Sequence, residues 1–279
     1  MNSLFPRPQQ LPPRLKRMKL HISAFILVFI LIPSALAQKQ LDFEIDGVKR
    51  FAIVHESEAK KTKSPVVLVF HGHGGSARIA ERRLNFHDAW KEAMVVYLEG
   101  LPGVVGITDR EGVRNGWQKN PGELGDRDLK FVDEVLKKLI KDYKVDEERI
   151  YAVGHSNGSR FVNVLWAKRA DKFAAFCAVA GPGGLMVRDA APRSIWLSMG
   201  KKDPLVPFAG QQRSADFVKQ MLKVDEKKAK TDGDITTYKL DNDLELVIEV
   251  RDAGHEFPVD SIPKMVEFFK RNVKVKGKK

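Results

Sequence analysis

Ile150-Tyr-Ala-Val-Gly154-His155-Ser156-Asn157-Gly158 is the stretch that decides the fold. An apolar, β-prone run leads into a Gly-x-Ser-x-Gly turn, and residues 157–168 follow with apolar positions at helical spacing. A sharp strand-to-helix turn pushes a serine hydroxyl clear of the fold, and flanking glycines avoid collisions with the neighbouring strand and helix. The same motif also occurs by chance in flexible loops. The strand and helix on either side favour the first interpretation, so the sequence predicts that Ser156 is a nucleophile.

The first 37 residues have the pattern of a secretory signal peptide. Basic residues between positions 14 and 19 precede an apolar run at 21–32, and Ala35-Leu-Ala37 offers a small-residue cleavage site before Gln38. The alternative is an uncleaved anchor, but the apolar run is short for a membrane span. Met18 is an alternative start. We therefore expect an exported protein, secreted or periplasmic, with no stable membrane anchor after cleavage.

Charge and cysteine content exclude some partners. The chain has a formal charge of +12, and residues 1–37 carry five basic residues and no acid, so their removal leaves +7. Much of this charge lies in residues 270–279, and such a tail is usually a solvated end. An exported chain without a recognition motif is not expected to bind nucleic acid. Cys177 is the only cysteine, so an intramolecular disulfide is excluded.

Strand and helix patterns alternate along the chain. Alternation of this kind predicts an α/β fold: a mostly parallel central sheet with helices on both faces and an antiparallel pair at one edge. The connection between the strands at 173–180 and 194–199 is too short for a large lid domain. This is the α/β-hydrolase plan, for which we expect a single catalytic domain over residues 38–279. The other predicted strands are 41–45, 50–54, 65–70, 94–98, 150–154 and 244–250, and the predicted helices are 77–93, 128–140, 157–168, 210–222 and 261–272.

Chain order identifies the partners of the nucleophile. In α/β-hydrolases the acid and then the histidine follow the serine, and His255 is the only histidine after Ser156. The acid is predicted to be Asp203, which follows the strand at 194–199. It would orient the imidazole, which takes the serine proton and returns it to the leaving group. The less suitably placed acids are Asp171, Asp189 and Asp252.

The glycine-rich loop 71–76 predicts an oxyanion hole. Backbone N–H groups stabilise the negative charge of an acyl-transfer intermediate, and we assign them to His73 and Asn157, with Gly74 as the fallback. The alternative is a metal site at His71 and His73, which the lack of further clustered ligands disfavours. We therefore expect no metal and no cofactor. Trp117, in the long loop 101–126, is a candidate to stack on substrate, with simple packing as its alternative.

Five motifs are spread along the chain: His71-Gly-His-Gly-Gly75, Val145-Asp-Glu-Glu-Arg-Ile-Tyr151, Gly154-His-Ser-Asn-Gly158, Asp203-Pro-Leu-Val-Pro207 and Gly254-His-Glu-Phe-Pro258. Together they resemble the secreted polyhydroxybutyrate depolymerase / feruloyl esterase group of α/β-hydrolases. That resemblance implies a serine esterase for short-chain hydroxyalkanoate, feruloyl or acetyl esters, with Ser156, Asp203 and His255 as its triad. The chain departs from the family at Ser159-Arg160-Phe161, at Glu256-Phe257 and in its lack of disulfides, which affects substrate choice. We expect a small or oligomeric ester, including one attached to a polysaccharide.

Two other functions are compatible with the motifs. A serine peptidase on the same fold would cleave peptides in preference to esters, although no propeller or large cap is recognisable in the sequence. A non-catalytic exported binding protein would fail to react with a fluorophosphonate probe. The complete set of serine, acid and histidine counts against the binding protein.

Overall fold

The computed structural model describes residues 38–59, 61–106, 109–240 and 243–274. The predicted signal peptide lies outside these residues, as does the end of the basic tail. Within the described ranges, no helix is both long and apolar enough to cross a membrane. All of the described residues fall in one compact unit.

The described chain alternates strands and helices. The strands are β1 Lys39–Ile45, β2 Val48–His55, β3 Ser64–Phe70, β4 Met94–Leu98, β5 Leu101–Pro102, β6 Asn115–Gly116, β7 Val145–His155, β8 Ala175–Val179, β9 Ser194–Gly200, β10 Lys230–Asp232, β11 Ile235–Lys239 and β12 Glu245–Arg251. The α-helices are α1 Ala77–Leu84, α2 Phe86–Ala89, α3 Arg127–Asp142, α4 Asn157–Arg169, α5 Phe208–Met221 and α6 Ile262–Arg271.

A ten-stranded sheet forms the centre of the protein, in the order β1-β2-β4-β3-β7-β8-β9-β12-β11-β10. The six strands from β4 to β12 in this order are parallel, and two antiparallel strands extend the sheet at each side. Asp46 and Gly47 join β1 to β2 with positive φ angles of 51° and 78°, as a tight hairpin turn requires. The mostly parallel sheet and its antiparallel edge are as predicted.

Helices cover both faces of the sheet because the central strands are apolar on both sides. Along β3, Val66 and Leu68 pack in one core and Val67 and Val69 in the other. The first core contains the buried faces of α3, α4 and α5, and the second contains those of α1, α2 and α6. The helices cover both faces of the sheet but leave the carboxyl ends of its parallel strands accessible.

Two elements differ from the sequence prediction. The helix predicted over 77–93 is broken at Asn85, whose left-handed backbone (φ 45°) ends α1 and starts α2. The hairpin of β10 and β11 was missed. Its signal is visible in hindsight, since Asp232-Gly233 is a turn sequence and the β-branched run Ile235-Thr-Thr follows it.

Candidate active site

Ser156 stands at the sharp turn between β7 and α4. Its backbone is strained, with φ 56° and ψ −117°, and its N–H donates to the Val179 carbonyl (2.8 Å). A methyl group on Gly158 would lie 2.3 Å from the Phe70 carbonyl oxygen, and one on Gly154 would lie 2.3 Å from that of Gly158. Both glycines are therefore needed for close approach rather than for a left-handed backbone.

The structure brings Ser156, His255 and Asp203 together from three different loops. His255 Nε2 lies 2.8 Å from Ser156 Oγ, and His255 Nδ1 lies 2.7 Å from Asp203 Oδ2. Each residue follows the carboxyl end of a parallel strand: β7, β9 and β12. The sequence-predicted trio thus forms one continuous chain of hydrogen bonds, with the geometry in which a histidine can remove the serine proton.

Asp203 is fixed by four donors. Its Oδ1 accepts the N–H groups of Leu205 (2.9 Å) and Val206 (2.8 Å), and its Oδ2 accepts from Gln211 Nε2 as well as from His255. Burial acts to raise the pKa of Asp203, but the hydrogen bonds from Val206, His255 and Leu205 outweigh it and hold the pKa below its usual value. The carboxylate is therefore ionised and oriented toward the imidazole.

A residue that sequence reasoning did not assign, His155, holds the backbone of His255. Its Nε2 donates to the His255 carbonyl oxygen at 2.6 Å, and its ring lies against the rings of His255 and Phe257. Burial lowers the pKa of His155 to about 4, so the ring is neutral at pH 7. The only hint in the sequence is that His155 directly precedes Ser156.

The loop from His71 to Gly75 packs against the turn that carries Ser156. A methyl group on Gly72 would lie 3.4 Å from Ser156 Cβ. The Gly74 N–H donates to the Asn115 carbonyl (2.7 Å) and so is already used, whereas the N–H groups of His73 and Asn157 form no hydrogen bond within the described residues. Of the two candidate oxyanion donors in this loop, the His73 N–H is therefore available to a ligand and the N–H of the fallback Gly74 is not.

The side chain of Asn157 fastens the long loop to the serine turn. Its Oδ1 accepts the Trp117 N–H (2.7 Å), and its Nδ2 donates to the carbonyls of Val105 (3.2 Å) and Trp117 (2.9 Å). Trp117 itself is fully buried, stacks on Phe161, and donates its indole N–H to the His71 carbonyl. The proposed stacking of Trp117 on substrate is therefore wrong, because no face of its ring is exposed.

His71 is a structural residue. Its Nε2 accepts the Gly100 N–H (3.0 Å), so the proton lies on Nδ1, which donates to the Gly72 carbonyl (2.7 Å). With both nitrogens occupied, the ring offers no lone pair to a metal. Among the residues that the structure describes, no cluster of three or more metal-binding side chains occurs.

The buried His71 predicts acid sensitivity. Burial lowers its pKa from the usual 6.5 to about 4. Between these pH values the unfolded chain binds more protons, so the stabilisation is complete above pH 6.5 and is lost as the pH falls toward 4. When the pH falls from 7.5 to 5, we expect the free energy of unfolding of the wild type to decrease by about 2 kcal/mol more than that of His71→Gln. Urea unfolding at both pH values measures this difference, and equal losses in the two proteins would contradict it.

A cavity of about 830 Å³ opens onto Ser156 and His255. Its size is suited to a small organic ligand. Several of its lining residues were not assigned from the sequence, among them Arg114, Lys119 and Arg160. Ser156, His255, His73 and Asn157 all border this cavity, so a ligand bound in it would lie beside the predicted nucleophile, base and oxyanion donors.

Comparison with known proteins agrees with this architecture. The model of the prolyl oligopeptidase family matches residues 115–231. A putative esterase, NocK, from Nocardia uniformis subsp. tsuyamanensis is 32% identical over 154 residues, which are 52% of this chain and 42% of that protein. This chain therefore spans less than half the length of that relative.

Two solved structures show the fold at low sequence identity. The acetyl xylan esterase from Aspergillus awamori superposes with a TM-score of 0.64 at 12% identity, over 84% of this chain and 99% of that one. A ferulic acid esterase superposes with a TM-score of 0.57 at 16% identity, over 84% and 98% of the two chains. The predicted fold class is confirmed: this is an α/β-hydrolase fold. At the carboxyl ends of its parallel strands, Ser156, His255 and Asp203 form a chain of hydrogen bonds.

Proposed function

We propose that the protein is a serine carboxylic-ester hydrolase that works through an acyl-serine intermediate. The observation that carries the proposal is the chain Ser156 Oγ···His255 Nε2 (2.8 Å) and His255 Nδ1···Asp203 Oδ2 (2.7 Å) at the edge of a cavity. The match to a putative esterase over half of this chain supports it.

The proposed reaction proceeds in two halves. Ser156 Oγ attacks the ester carbonyl carbon while His255 takes the hydroxyl proton, and the N–H groups of His73 and Asn157 donate to the resulting oxyanion. When the carbon–oxygen bond breaks, His255 gives that proton to the departing alcohol. Water, deprotonated by the same imidazole, then attacks the acyl carbon; the bond from that carbon to Ser156 Oγ breaks, His255 returns the proton to Oγ, and the carboxylic acid is released. Asp203 remains ionised and stabilises the imidazolium in both halves.

For the substrate we propose a short-chain hydroxyalkanoate, feruloyl or acetyl ester, either free or attached to a polysaccharide. The motif resemblance to polyhydroxybutyrate depolymerases and feruloyl esterases supports this range, and the fold is shared with an acetyl xylan esterase and a ferulic acid esterase. We further propose that the enzyme acts outside the cytoplasm, because of the signal-peptide pattern at residues 1–37.

Covalent labelling tests the nucleophile. We expect a fluorophosphonate probe to modify the wild-type protein stoichiometrically, with the mass increase located by peptide mass spectrometry on the peptide that contains Ser156. A burst of 4-nitrophenol equal to the enzyme concentration should accompany turnover of 4-nitrophenyl acetate if deacylation is slower than acylation. Absence of labelling in a folded protein would reject the proposal and favour a non-catalytic binding role.

A peptidase is the second candidate, favoured by the prolyl oligopeptidase match over residues 115–231. The same nucleophile would then attack an amide, which is a less reactive carbonyl. Comparison of kcat/KM for an N-acyl-amino-acid 4-nitroanilide and the corresponding 4-nitrophenyl ester separates the two functions. A higher value for the anilide after correction for intrinsic reactivity would favour the peptidase.

A further inference from the structure

The cavity has two walls of different chemistry. Arg114, Lys119 and Arg160 form what we call the cationic wall, contributed by the long loop and α4. The apolar wall is contributed by α1 and by the loops that follow Asp203 and His255, although α1 also places Arg83 in the lining. Three of its side chains are unusually exposed for apolar residues, namely Ile79 (38%), Leu205 (55%) and Val259 (54%).

The charges of the cationic wall are not neutralised within the described residues. None of its three side chains forms an ion pair there, although Arg160 donates to two neutral acceptors, the Lys119 carbonyl and Asn120 Oδ1 (both 3.1 Å). Among the described residues, the two nearby acids form no ion pair with these side chains: Glu123 accepts from Asn120 and from the backbone of Lys119, and Asp109 accepts the Arg114 N–H. Three unpaired like charges around one cavity create a positive potential there.

The cationic wall lies close to the reacting atoms. Arg160 follows Ser156 by one helical turn and its N–H donates to the Ser156 carbonyl (3.0 Å). The Arg114 side chain packs against the loop from His71 to Gly75, since a methyl group on Gly74 would lie 3.5 Å from Arg114 Cδ. Glu256, the acidic residue among those lining the cavity, is beside His255. The cationic wall therefore borders the same space as Ser156 and His255.

We propose that the cationic wall binds a carboxylate carried by the substrate, so that the favoured esters bear a negative charge away from the scissile bond. The proposal rests on the esterase function proposed above and narrows its substrate class. The carboxylate can belong to the acyl part or to the alcohol part of the ester, and the same wall would recognise either.

A less specific effect must be separated from this one. Positive charge near Ser156 also stabilises the oxyanion of the intermediate, and that effect acts on every ester alike. The ratio of kcat/KM for a charged ester to that for its neutral counterpart cancels the shared effect. Only direct binding of the substrate carboxylate changes the ratio.

Two matched pairs measure the ratio. The first pair, 4-acetoxybenzoate and methyl 4-acetoxybenzoate, places the charge on the alcohol. The second, mono-4-nitrophenyl glutarate and 4-nitrophenyl pentanoate, places it on the acyl group. We expect the wild type to prefer the charged member of at least one pair, and the preference to weaken with added salt. Arg114→Gln and Lys119→Gln suit the test because neither side chain makes a hydrogen bond to another described residue.

The expected change is about a fivefold loss of the charged-to-neutral ratio for each cation removed, because a partly exposed charge pair contributes about 1 kcal/mol. Arg82→Gln is the matched control: it removes the same charge from the exposed face of α1, outside the cavity lining, and should leave the ratio unchanged. An equal ratio in the wild type and the Arg114→Gln/Lys119→Gln variant would overturn the proposal. Turnover of the neutral esters would in that case still support the esterase function.

Binding provides a test that does not depend on turnover. Calorimetric titration of the Ser156→Ala protein with 4-acetoxybenzoate should give a dissociation constant that rises about 25-fold when Arg114 and Lys119 are both replaced by glutamine, as two independent contributions predict. An unchanged constant, or no binding to either protein, contradicts the carboxylate site. If no ester is hydrolysed by the wild type, the proposed function fails and this titration still decides the binding proposal.

Discussion

Ser156→Ala is expected to lower kcat for 4-nitrophenyl acetate by about 10⁴- to 10⁶-fold, the range that loss of a catalytic serine causes in other triad hydrolases. The reason is that alanine has no oxygen to form the acyl intermediate, so only water held near the oxyanion donors could attack the ester. The loss should fall on kcat, because the cavity that binds the substrate stays intact. Steady-state kinetics with freshly purified protein measure it.

The same experiment must show that the fold survives. Alanine can keep the backbone that Ser156 adopts, and its methyl group replaces only the half-buried hydroxymethyl group. The urea midpoint should therefore stay close to that of the wild type. Ser57→Ala is a control for the loss of a serine hydroxyl outside the cavity lining; that hydroxyl donates to the Glu92 carbonyl and accepts the Ala59 N–H. Turnover by Ser156→Ala within tenfold of the wild type would show that another group is the nucleophile.

Asp203→Asn should lower kcat by about 10⁴-fold with little change in structure. The asparagine oxygen can still accept the N–H groups of Leu205 and Val206, as Asp203 Oδ1 does. Its amide nitrogen, however, would then face His255 Nδ1 as a donor. The imidazole must respond by carrying its proton on Nε2, and in that tautomer it cannot accept the proton of Ser156. The loss of activity would therefore come from the tautomer of His255 and not from a change in the shape of the site.

A second aspartate gives a matched comparison. Asp252 is nearer to His255 in sequence, but its carboxylate is exposed and pairs with Lys202 (2.8 Å). Asp252→Asn removes the same charge from the loop that carries His255 and should leave kcat within about twofold, since exposed pairs contribute little. The kcat values of the two variants, measured at one pH, identify the acid. Equal losses in both variants would mean that net charge, and not the tautomer of His255, controls the rate.

Much of the site could be predicted because it depends on order along the chain. A single histidine follows Ser156, and one aspartate follows the next-to-last parallel strand, so the choice of His255 and Asp203 required no three-dimensional information. The fold was predictable for a similar reason, since apolar runs separated by helical stretches leave few topologies. The catalytic roles of these residues stay predictions, although the structure brings their side chains within hydrogen-bond distance.

What could not be predicted depends on contacts between segments distant in sequence. His155 holds the carbonyl of a residue 100 positions later, and no local pattern records that contact. The cationic wall combines residues of the long loop with Arg160 of α4, and each alone looks like an ordinary surface charge. Trp117 was misjudged for the same reason: its position in a long loop suggested exposure, whereas its neighbours Phe70 and Phe161 enclose it.

The antiparallel hairpins at the two sides of the sheet bear on how the protein behaves at high concentration. An edge strand with free backbone groups can pair with another molecule, and charged side chains along it oppose such pairing. β1 carries Lys39, Asp42 and Glu44, and the short β10 is Lys230-Thr-Asp232, exposed at all three positions. Both outer strands therefore present mixed charge and little apolar surface. We therefore expect these edges to discourage strand exchange between copies of the chain when it is concentrated.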